Sequence, residues 1–107
     1  MKKDFFVVLC TSGVEESEQI ARVLIEERLA ACVNVAEVNS YYRWKGECCK
    51  DREALLIIKT EKSKKEKIEE RIQEVHSYEL PEIIALPIVA GYDRYLTWIE
   101  EQLKLGE

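Results

Sequence analysis

One extended stretch, Ala31 to Trp44, limits what this chain can fold into more than any other segment. A turn, Lys45-Gly46-Glu47, follows it, and Glu53 to Thr60 (E-A-L-L-I-I-K-T) reads as the returning strand. At ~3.3 Å per residue, its fourteen residues reach roughly 46 Å, more than twice a typical strand. Such a hairpin must bend, bulge or overhang its own sheet. An overhang carrying Tyr41, Tyr42 and Trp44 would expose an aromatic ribbon with an open edge, which isolated soluble proteins avoid. Another copy of the chain is the simplest cover, so an oligomer is expected, of a copy number this argument does not set.

The remaining segments fall around that hairpin. Phe5 to Cys10 is a continuous apolar run, the pattern of a central strand covered on both faces. Ser12 with Glu15 predicts a capping box, and Ile20, Ala21, Leu24 and Ile25 place a buried stripe on a helix ending near Leu29. Ser63 with Glu66 predicts a second capping box, before a helix whose inner face is Ile68, Ile72 and Val75. Pro81 marks the exit from it. Glu82 to Ala90 (E-I-I-A-L-P-I-V-A) reads as a fourth strand, with Pro87 pointing to an edge or a bulge. After Gly91, a stripe of Tyr92, Leu96, Ile99 and Leu103 predicts a terminal helix.

The order β-α-β-β-α-β plus a helix is the split βαβ of ferredoxin-like folds, an α+β sandwich within the broad α/β class. No repeat or linker interrupts it, so residues 1–107 read as one domain. A right-handed crossover makes the first two strands parallel and the hairpin turns the third against them. Cys10, the hairpin tip from Trp44 to Cys49, and Val75-His76 would then share one edge of the sheet. Three of the four cysteines and the only histidine are expected to converge there.

Composition narrows the function. A domain of 107 residues buries roughly two-thirds of its unfolded surface and needs no metal or disulfide to fold. A net charge of −5 speaks against nucleic acid, whose binding rests on a basic patch. Lys62, Lys64, Lys65 and Lys67 are interleaved with Glu61, Glu66, Glu69 and Glu70 and read as a solvated helix face. No apolar run approaches the ~20 residues that span a membrane. Met1-Lys2-Lys3 before Phe5 to Leu9 starts as a signal peptide would, but Thr11-Ser12-Gly13 cuts the apolar stretch short. A cytoplasmic protein with reduced cysteines is expected, and no CxxC spacing is present.

Several stretches together resemble the CutA divalent-ion-tolerance family. They are Val8-Leu9-Cys10-Thr11, residues 28–34 (R-L-A-A-C-V-N), residues 42–46 (Y-R-W-K-G), residues 56–60 (L-I-I-K-T), residues 76–83 (H-S-Y-E-L-P-E-I) and residues 95–99 (Y-L-T-W-I). The resemblance implies a homotrimer with hairpins packed across neighbouring subunits, much as in the PII-like signalling trimers. It also implies divalent metal tolerance, with Cu(II) as the leading ion. In copper-binding members a cysteine ending the first strand and a His-His pair after the second helix are the ligands. Cys10 matches that cysteine and His76 the second histidine, whereas Val75 stands in place of the first.

Cys10 and His76 are accordingly the candidate metal ligands, as soft and borderline donors suited to copper or zinc. A helix N-terminus beside Cys10 would favour its thiolate. Two donors leave the site incomplete, so a carboxylate such as Glu79 or a residue of another subunit would finish it. The bland readings are a buried inert thiol and a histidine closing a helix. Cys32 reads as core, and Cys48-Cys49 as an incidental exposed pair that does not bridge.

Tyr42, Trp44, Lys59, Tyr78, Glu79 and Trp98 form a second constellation. They suit either an inter-subunit cleft for a small anion or nucleotide-like ligand, or plain aromatic anchoring of the subunit interface, which is the stronger reading. The expected function is that of a metal-binding trimer. The alternative is a PII-like regulator with a small ligand between subunits. An enzyme is not expected, because nothing beside Cys10 and His76 supplies an orienting group or an oxyanion site.

Overall fold

The computed structural model describes residues 4–104, so the Met1-Lys2-Lys3 part of the signal-peptide reading lies outside the described residues. Strand β1 (Phe5–Ser12) leads through a short 3-10 turn into helix α1 (Ser17–Glu26). The long hairpin follows as β2 (Cys32–Trp44) and β3 (Glu47–Glu61), then α2 (Lys65–Val75), β4 (Ile83–Pro87) and α3 (Asp93–Gln102). The sheet order is β2-β3-β1-β4, with every neighbouring pair antiparallel. That is the ferredoxin-like arrangement, and β4 is an edge strand in which Pro87 takes the last place.

Alternation along the strands puts one face of the sheet under α1 and α2. Val8 and Cys10 of β1 and Ala54, Leu56 and Ile58 of β3 pack there against Ile20, Leu24, Ile68 and Ile72. The opposite face carries Val7 and Leu9, in register with Leu86 and Ile84 of β4, and Leu55 and Ile57 of β3. This face is open: Ile84 is 47% exposed and Leu86 45%. The expectation of a first strand covered on both faces is therefore corrected for the single chain. Cys32 also differs from its core reading, since it lies half-buried with Lys59 Nζ 4.0 Å from its sulfur.

Of the three outcomes that its length allowed, the hairpin takes the overhang. β1 pairs with β3 only from Ala54 to Glu61, so Glu47 to Glu53 have β2 as their sole neighbour. At ~3.3 Å per residue this two-stranded arm runs roughly 23 Å beyond the sheet. Its tip is a two-residue turn in which Lys45 (φ 50°) and Gly46 (φ 79°) both take left-handed backbone, the geometry that matches strand twist.

The two capping boxes do not form. β1 runs through Ser12, whose buried hydroxyl donates to the Gly13 carbonyl at 3.0 Å, and Ser63 donates to Glu61 at 2.7 Å. Each helix is entered instead through a 3-10 turn, Val14–Glu16 and Lys62–Lys64, with no side-chain cap. α1 stops three residues before the expected end, where Arg28 turns into left-handed backbone (φ 58°). Arg28 then donates to the Gln102 carbonyl at 2.7 Å, placing a cation on the C-terminal turn of α3.

Candidate functional site

Cys10 sits in the sheet opposite Leu56 on one side and Ile83 on the other, with its side chain fully buried. Burial pushes its thiol up to about 12, and the carboxylates of Glu82, Glu16 and Glu53 push the same way. The expectation of a favoured thiolate is corrected here: low dielectric and nearby negative charge outweigh any helix terminus.

His76 closes α2 and reaches back to the end of β1. Its Nε2 lies 2.7 Å from the carbonyl oxygen of Thr11, and its Nδ1 accepts the backbone N–H of Tyr78 at 3.0 Å. An Nδ1 that accepts leaves the proton on Nε2, so Nε2–H donates to Thr11 and no ring lone pair is spare. Next to it, the Glu16 carboxylate accepts both the N–H and the hydroxyl of Ser77. Burial raises that carboxyl, but the two Ser77 bonds outweigh it and hold Glu16 below the usual range. Thr11 also reaches Glu82, with its hydroxyl 3.5 Å from the carboxylate.

Thus Cys10, His76 and Glu82 all gather around Thr11, and Glu82 rather than Glu79 is the carboxylate that weighs most on the Cys10 thiol. Among the described residues no three His, Cys, Asp or Glu side chains stand close enough to hold a metal ion. Cys48 and Cys49 do not join them. Cys49 is seven residues along β3 from Leu56, the partner of Cys10, which is roughly 23 Å of strand. The arm that makes the hairpin long carries these thiols away.

A groove of about 780 Å³ opens where the arm leaves the sheet. Tyr42, Trp44, Tyr78 and Glu79 of the second constellation line it, together with Thr11, Glu82 and two acids the sequence reading did not single out, Asp51 and Glu53. Tyr42 donates to Asp51, and Tyr78 donates to Glu53 at 2.8 Å. The Asp51 bond, with some burial, pushes the Tyr42 phenol up to about 12. Burial and the Glu53 bond raise Tyr78 further. Asp51 and Glu53 could have been found from alternation along β3, which puts them on the face of Ser40 and Val38.

Lys59 and Trp98 stand elsewhere. Lys59 pairs with Cys32, ten residues down β2 from Tyr42 and roughly 33 Å away. Trp98 stacks on Tyr95 with ring centroids 5.5 Å apart, and burial, with the Cys32 thiol nearby, raises the Tyr95 phenol. Within one subunit the six residues do not make a single cleft.

The model of the family described as CutA1 divalent ion tolerance protein matches residues 5–102. The chain belongs to the CutA divalent-ion tolerance family. A divalent-cation tolerance protein CutA of Thermus thermophilus is 48% identical over 89% of this chain and 94% of its own length. A chloroplastic CutA of Arabidopsis thaliana is 42% identical over 84% of this chain, which spans 50% of that relative. The solved structure of a protein described as the periplasmic divalent cation tolerance protein CutA of Archaeoglobus fulgidus superposes with a TM-score of 0.90. It has 35% identity and covers 94% of this chain and 99% of that one. CutA proteins are thus described from more than one compartment. No helix among the described residues of this one is long and apolar enough to cross a membrane.

Proposed function

We propose that this protein is a cytoplasmic homotrimer that binds a divalent metal ion, copper first, and so acts in metal tolerance. The family membership carries the metal, and the open apolar face carries the assembly. Val7, Leu9, Leu55, Ile57, Ile84 and Leu86 form a continuous patch beside an unsupported hairpin arm, a combination that a lone subunit would leave in water.

Cys10 and His76 remain the proposed ligands, with a residue of another subunit completing the site. The metal must displace the thiol proton and free one His76 nitrogen from Thr11 or Tyr78, so the site assembles on binding. A thiol pushed up to about 12 is protonated at neutral pH, which speaks against a catalytic nucleophile and makes metal binding at Cys10 depend on release of that proton. Calorimetry with Cu²⁺ tests this in the wild type, Cys10→Ser and His76→Ala. Loss of binding in both variants, with the oligomer intact, is expected. Undiminished binding in both would discard these ligands.

The PII-like alternative, a regulator with a ligand between subunits, draws support from the groove at the base of the arm, where neighbouring hairpins would meet. The groove's lining holds four carboxylates and one cationic side chain, Arg43, which argues against the small anion that the sequence left open as one reading of these residues.

A further inference from the structure

The groove holds more negative charge than the fold uses. Glu53 is only 8% exposed, yet its hydrogen-bond partner is a neutral phenol, Tyr78. Neither it nor Asp51, Glu79 or Glu82 forms an ion pair with any described lysine or arginine. A carboxylate buried without a counter-charge is costly, and the usual remedy is a cation.

The surroundings say which kind of cation. A volume of about 780 Å³ suits a small organic molecule and far exceeds a bare ion. The acids are too dispersed to chelate a metal, as no three of them stand together among the described residues. Tyr42 and Tyr78 each donate to one oxygen of Asp51 and Glu53, which orients the carboxylates and leaves the second oxygen of each for another donor. Both phenols are held protonated well above neutral pH, so they keep donating. Tyr42, Trp44 and Tyr78 supply the aromatic surface that a cation with an apolar body prefers.

We propose that this groove binds an organic cation, a primary ammonium or guanidinium on an aromatic or apolar body. Glu53 and Asp51 take the charge, and Tyr42, Trp44 and Tyr78 take the body. The proposal goes beyond the metal reading and does not rest on it.

Calorimetry on the native oligomer, with EDTA present so that no metal contributes, tests it with tyramine and agmatine as probes. At least one probe is expected to bind saturably and to weaken as salt rises. 4-Ethylphenol, which keeps the ring of tyramine but lacks its amine, is expected not to bind. Glu53→Gln should lower affinity by about tenfold or more, the loss of one charge-assisted contact. Asp51→Asn, at an exposed position that cannot unsettle the core, should lower it several-fold. Equal binding of 4-ethylphenol, undiminished affinity in both folded variants, or no binding of either cation because a second copy fills the groove would each overturn the proposal. Copper binding at Cys10 and His76 stands or falls separately.

Discussion

His76 Nε2 lies 2.7 Å from the backbone oxygen of Thr11, so the only imidazole of the chain is pinned to the residue that follows the buried Cys10. With Tyr78 N–H bonded to Nδ1, the ring ties the end of α2 to the end of β1 and to the start of the loop before β4. Its first role is structural.

Replacing His76 by alanine strands the Thr11 carbonyl and the Tyr78 N–H. A loss of about 1–3 kcal/mol is expected, the cost of leaving buried polar groups unpaired. Chemical denaturation of metal-free protein measures it. An unchanged midpoint would show that water replaces both bonds.

Cys10 makes stability depend on alkaline pH. Its folded thiol titrates near 12 against an ordinary value of 9.0, so the folded state holds the proton more tightly than the unfolded chain. That contribution is complete below about pH 9 and is lost as pH rises through about 12. Cys10→Ala should flatten the alkaline fall in the denaturation midpoint. Tyrosines and lysines titrate in both proteins, so the difference between them is the quantity to read.

Gly46 occupies φ 79° at the hairpin tip, and no atom lies within 4 Å of where a Cβ would stand. Gly46→Val is therefore expected to cost about 1–2 kcal/mol through backbone strain alone. Lys45→Asn, at φ 50°, should be neutral or mildly stabilising. Thermal denaturation of the two variants separates strain from lost contacts.

Ile84 is 47% exposed on the face away from α1 and α2. Ile84→Asp should leave the circular dichroism of the subunit intact and reduce the proposed trimer to a smaller species in sedimentation. A trimer that survives the buried charge would place the interface elsewhere.

Much of this was readable along the chain. The continuous apolar runs of β1, β3 and β4 and the helical stripes of α1 and α2 are local signals of element type, although the runs did not show which face of the sheet stays open. That the hairpin must bend, bulge or overhang followed from strand length against sheet size. The first capping box failed because Ser12 ends a strand and is buried there, and the second because the Ser63 hydroxyl is taken by Glu61. The convergence of cysteines failed for another reason: an edge of a sheet is a direction, and the overhang stretches it over many residues.

The sequence by itself determined the fold, the family and the length of the hairpin, because periodicity and motif spacing are properties of neighbours along the chain. Only the tertiary structure decided that His76 spends both nitrogens on backbone, that Cys10 keeps its proton, and that Glu53 lies buried without a cation. Those outcomes depend on burial and on hydrogen bonds between residues up to 65 positions apart, which chain order alone does not bring together.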